Sequence, residues 1–95
     1  MILRPDFEEE ADIHEWIALV ADGALTADGF DDAIIGVSAR SPGRESVVVY
    51  DAFECVNVLM KGDGMDREEA WEFFEFNVVG TWMGDRTPVF LDRTP

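Results

Sequence analysis

One cysteine, one histidine and one lysine are all that this 95-residue chain holds of those three residue types. A lone Cys55 excludes an intramolecular disulfide, and with it the disulfide-stapled scaffolds of small secreted proteins. A lone His14, far from Cys55 in sequence, leaves a zinc site nothing but carboxylates to complete it. No stretch approaches the roughly 20 apolar residues of a membrane helix. The opening MILRPDFEEE has no basic region followed by an apolar run, so no export signal is expected. These absences predict a cytoplasmic protein with no membrane partner. The glycine-rich stretches GDGMD and SPGR lack the spacing and the lysine of phosphate-cradling loops, and no cofactor is expected.

What the chain has in excess is carboxylate. It carries 21 Asp and Glu against 7 Lys and Arg, a net charge of -14, while 47% of its residues are hydrophobic. That much apolar content supports a core, so residues 1–95 are expected to form one folded domain with the charge on its surface. Such a surface repels nucleic acid and anionic membranes and attracts basic proteins. Halophilic adaptation produces the same composition, so charge alone does not name a role.

Hydrophobic periodicity outlines the elements. Ile13, Trp16, Ile17 and Val20 recur at helical spacing between Asp6 and Asp22, with acids in the first turn and Gly23 as a stop. AIIGVSAR and ESVVVYD are rich in β-branched residues and flank SPGR, which predicts a hairpin. The unbroken run Val47 to Val49 points to a central strand or one covered on both faces. Asp51 with Glu54, and Asp66 with Glu69, carry the spacing of capping boxes, predicting a second helix that ends near Gly62 and a third that follows it closely. Pro88 begins or edges a last short strand, TPVFL. The expected fold is α+β in the order α-β-β-α-α-β, a three-stranded antiparallel sheet with helices packed on one face.

The stretch EEAWEFFEFNVVGTWMGDRTPVFL concentrates aromatic and acidic residues. Ala70, Phe73, Phe74 and Asn77 share a helical face, widened by Trp71 and Val78, which predicts core packing with Asn77 as a buried, hydrogen-bonded amide. A base-stacking platform requires a basic groove, and here the neighbours are Glu68, Glu69, Glu72 and Glu75. Gly80 and Gly84 bracket Trp82 and Met83, which are either a plug beneath the sheet or an apolar anchor for a partner.

Tyr50 and Asp51, then DGMDREEAWEFFEFNVVG from Asp63 to Gly80 and GDRTPVF from Gly84 to Phe90, form a pattern that resembles small uncharacterised proteins encoded in bacteriophages and prophages. The likeness covers about half the chain and leaves out its acidic amino-terminal third. It implies a viral or prophage origin and a bacterial cytoplasmic setting, and brings no activity or catalytic residue.

Catalytic chemistry finds little to work with. Cys55 lies in an apolar helix, where a small buried hydrophobe is the ordinary role, and His14 sits beside Glu15 on an acidic helix. Asp28, Asp31 and Asp32, or Asp63 and Asp66, offer carboxylates without the spacing of a calcium loop. No catalytic or metal site is expected. Glu8, Asp12 and Glu15 form one acidic ridge and Glu68, Glu72 and Glu75 another. A four-residue helical step rises about 6 Å, close to the separation of successive phosphates on a strand. The leading expectation is a DNA mimic that occupies a basic nucleic-acid-binding host protein, such as a nuclease, a CRISPR surveillance complex or a transcription regulator. Its contacts would be the two ridges, Asp28, Asp31, Asp32 and Trp82. The alternative is an interaction or assembly module that docks through Trp82, Met83 or Phe30, its acids serving solubility.

Overall fold

The computed structural model describes residues 1–7, 11–39, 42–81 and 83–92. They form a compact α+β domain: β1 (Ile2–Leu3), α1 (Ala11–Val20), a 3-10 turn (Asp31–Ala33), β2 (Ile34–Val37), β3 (Val48–Asp51), α2 (Ala52–Asp63), α3 (Arg67–Phe74), a π turn (Glu75–Val79) and β4 (Val89–Leu91). The sheet has four strands in the spatial order β1-β2-β3-β4.

Two expectations about the sheet are corrected. Ile2 and Leu3 add a fourth strand, pairing antiparallel with Val37 and Gly36. Gly36 permits this close approach, because a Cβ there would collide with the Ile2 carbonyl. A two-residue strand is too short to leave a periodic signal. The sheet is also mixed: β2 and β3 are antiparallel, but β4 runs parallel to β3, Val49 opposite Val89 and Asp51 opposite Leu91. Parallel neighbours require a long crossover, and α2, α3 and the π turn supply it.

The expected hairpin is present with a wider connection. Strand pairing ends at Val37 and Val48, extended by Ser38 N–H donating to the Val47 carbonyl at 2.9 Å. Gly43 takes the left-handed conformation in the turn, and Arg40 and Ser41 lie outside the described residues. As the valine run foretold, β3 is central, and all four of its residues are buried. Pro88 immediately precedes β4, which forms a sheet edge.

Both helix caps sit where the spacing puts them. The Asp51 carboxylate accepts from Phe53 and Glu54 N–H at 2.9 and 3.2 Å, and Asp66 accepts from Glu69 N–H at 2.9 Å. Glu54 Oε1 also accepts from Asn57 Nδ2 at 3.3 Å. Helix α2 stops at Gly64, whose φ of 69° closes it two residues beyond Gly62.

The core joins all three helices to the sheet. Ile13 and Ile17 from α1, Val48 and Tyr50 from β3, Cys55, Val56 and Leu59 from α2, and Ala70 and Phe74 from α3 form one buried cluster. Burying a side chain of this size contributes roughly 1.5–3 kcal/mol. Alternation along β3 sends Val48 and Tyr50 to the same face. Phe90 of β4 stacks on Tyr50 and meets Phe74 edge-on, with centroids 5.2 Å apart in each case. These rings tie the final strand to the sheet centre and to α3.

Candidate functional site

Helix α3 keeps only part of its aromatic face inside. Ala70 and Phe74 are buried, and Trp71 packs edge-on against Phe53 and Phe74. Phe73, however, is 39% exposed and Phe76 is 82% exposed. Phe76 follows buried Phe74 by two residues, about 200° around an α-helix, so burying one turns the other outward.

After Phe74 the helix widens. Gly80 N–H donates to the Glu75 carbonyl at 3.0 Å, five residues back, and Asn77 Nδ2 donates to the Phe73 carbonyl at 3.2 Å. Continuing α-helical geometry would place Asn77 near the Phe74 face; instead it is exposed, which corrects the expectation of a buried amide. None of the five π-turn residues is buried. Single π turns recur at functional sites, and this one carries an apolar side chain into water.

The widened turn forms one wall of a groove of about 370 Å³. Phe30, Val78 and Phe90 contribute apolar surface, Phe73 and Asn77 stand at one side, and Asp28 belongs to the loop at the other. That loop is held by β3: Ala27 N–H donates to the Tyr50 hydroxyl at 2.7 Å. Burial, opposed by this hydrogen bond and reinforced by the carboxylates of Asp31 and Asp28, pushes the Tyr50 hydroxyl up to about 12, so it stays protonated at neutral pH. Met83, 55% exposed, also lines the groove. Its N–H donates at 2.9 Å to Thr87 Oγ1, which in turn donates to the Gly84 carbonyl at 2.6 Å. A second hollow, of about 440 Å³, includes Glu69, Glu72 and Phe76 and shares Phe73 and Asn77 with the first.

The expected contact residues therefore fall into two groups. Asp28 and Glu72 border these hollows, while Glu75 opens the π turn and Glu68 lies in the first turn of α3, both exposed. Asp12 and Glu15 belong to α1, and His14 on that helix meets Asp31 of the 3-10 turn at 2.8 Å, with Asp32 exposed beside it. No hydrogen bond or ion pair between described residues joins the α1 ridge to the α3 ridge. Glu8 and Trp82 lie outside the described residues. Phe30 is 8% exposed and serves as groove floor, which corrects its proposed role as a protruding anchor.

Apart from the His14–Asp31 hydrogen bond, the described residues contain one ion pair, Arg86 with Glu45 at 3.5 Å. Arg86 mainly secures loops, donating to the carbonyls of Ser46 at 3.1 Å and Ala21 at 3.4 Å. Among the described residues no ion pair involves the α3 carboxylates.

Nucleophilic chemistry is poorly served. Cys55 is fully buried, and burial, with Asp51 and Glu54 nearby, pushes its thiol up to about 12. His14 is engaged with Asp31. Among the described residues no three His, Cys, Asp or Glu side chains gather as a metal site, and no helix is long and apolar enough to cross a membrane.

The groove was hidden in the sequence because Phe73, Asn77 and Val78 carry the same apolar stripe that signals core. The usable signal was width: aromatics at 71, 73, 74 and 76 point around more of the helix than one packing interface can cover.

Comparisons with protein-family models, with curated proteins and with solved structures find no match to this chain.

Proposed function

We propose that this chain binds a basic protein whose own ligand is nucleic acid, and keeps that ligand away by presenting carboxylates in its place. The observation that carries the proposal is the uncompensated charge of α3 and the π turn that follows it: Glu68, Glu72 and Glu75 are exposed and have no cation partner among the described residues. Like charges at these spacings cost a helix roughly 0.2–0.5 kcal/mol per pair. A surface shaped for stability alone would interleave lysines. Charge of one sign raises encounter rates with a basic partner and disfavours acidic ones. A phage-encoded inhibitor of a host nuclease, CRISPR complex or regulator fits this chemistry.

A second reading has its own observation. Phe73, Phe76 and Met83 are exposed around a groove, which suits an interaction or assembly module whose affinity comes from apolar docking. Salt separates the two readings. Affinity capture from bacterial lysate at low and high ionic strength, with a duplex-DNA competition lane, should give a partner lost steeply with salt and displaced by DNA. Retention at high salt with no displacement would refute mimicry and leave the docking module.

A further inference from the structure

We infer that the groove between the π turn and the loop 24–30 receives an apolar side chain from a lysine- or arginine-bearing segment of the partner. The inference rests on the interaction reading above and adds the kind of segment that is bound.

Shape and charge agree on this occupant. The floor is apolar and packed against the core, since Phe30 is 8% exposed and Phe90 lies between the rings of Tyr50 and Phe74. Phe73 and Met83, 39% and 55% exposed, stand at its edge as ready-made apolar contacts. A volume of about 370 Å³, at the low end of the roughly 300–1,000 Å³ of small-molecule sites, accepts one or two side chains. Among the described residues no Lys, Arg or His lines this groove or the adjoining hollow, whereas Asp28, Glu69 and Glu72 do. An apolar residue entering here brings its chain neighbours against carboxylates. Basic neighbours gain attraction and acidic ones meet repulsion, so a second copy of this chain, at net charge -14, is the wrong occupant. Tyr50 adds preorganisation by clasping Ala27 at 2.7 Å and fixing the Asp28 wall before the partner arrives.

The test uses the full chain and three short synthetic peptides followed by backbone-amide NMR and fluorescence anisotropy. The first carries a Leu and a Phe flanked by lysines, the second has Ala in place of both apolar residues, and the third has Glu in place of the lysines. The expected result is that the first peptide shifts the amides of Phe73, Asn77, Thr81 and Met83. The alanine peptide should bind about tenfold more weakly or worse, the size expected for burying one such side chain, and the glutamate peptide should not bind. Asp28→Lys should weaken the first peptide more than Asp22→Lys, an equal charge change at an exposed residue outside the groove lining. Phe73→Ala should abolish the preference for the Leu and Phe peptide. Equal binding of the lysine and alanine peptides, equal effects of the two Asp variants, or shifts spread over all the acids would overturn the inference. So would the same groove shifts on concentrating the free chain. No nucleic acid enters this titration, so the mimicry proposal can fail in the competition lane while the groove stands, and the reverse.

Discussion

Tyr50→Phe tests the link between the core and the groove. The substitution keeps the ring that stacks on Phe90 and removes only the hydroxyl that accepts from Ala27 N–H at 2.7 Å. Tyr50 is fully buried and Ala27 half-buried, so the orphaned N–H recovers little hydration. An unsatisfied buried donor costs about 1–3 kcal/mol, and the partial exposure of Ala27 puts this one in the lower half of that range. At roughly 4–8 °C per kcal/mol for a domain of this size, Tm should fall by about 5–10 °C. In urea, with a slope of about 1–1.5 kcal/mol/M, the midpoint should drop by about 1 M with the slope unchanged. Hydrogen exchange locates the damage: the Ala27 amide should lose protection while Val48 and Val49 on β3 weaken only with global stability. An unchanged midpoint, or an Ala27 amide as protected as before, would show that the loop is held by something other than the hydroxyl and would remove the preorganisation argument for the groove.

Three further perturbations reach other parts of the fold. Gly36→Ala places a methyl against the Ile2 carbonyl, so β1 should detach, seen as lost exchange protection at the edge with a cost of about 1–3 kcal/mol; intact pairing of Ile2 with Val37 would contradict it. Asp51→Ala removes the acceptor for Phe53 and Glu54 N–H and should lower stability by about 1–2 kcal/mol in chemical denaturation, with loss under 0.5 kcal/mol refuting its role as cap. Alkaline stability follows from two raised acids. Cys55 rises from 9.0 and Tyr50 from 10.0, each to about 12, so the unfolded chain releases these protons first. Their contribution is complete below about pH 9 and is lost progressively towards pH 12. Cys55→Ala should move the onset of the decline up by about one pH unit, and an unmoved onset would place the linkage elsewhere.

Local chemistry carried most of the helices. The caps at Asp51 and Asp66 need only a carboxylate ahead of free N–H groups, and Ile13 and Ile17 declare their buried face by spacing alone. The central place of β3 was legible for the same reason, because a continuous valine run suits a strand with neighbours on both sides. Strand direction was not legible: β4 runs parallel to β3 because of the path taken by α2, α3 and the π turn, and a three-residue strand looks the same either way. Nor was β1, whose two residues pair only because Gly36 lets another backbone come close.

The candidate site divides along the same line. Composition by itself determined that the chain carries a large excess of negative charge, with a single Cys and a single His. Which aromatics remain in water was decided in three dimensions. Phe73 and Phe74 are adjacent and chemically identical, yet the core has room for one of them, and the chain switches to π geometry just beyond it. A groove needs walls from distant segments, here the loop at 24–30, the π turn and the residues before β4. Sequence encodes each wall as a local preference, but the gap between them exists only once Tyr50, Phe74 and Phe90 have packed and set how closely those segments can approach.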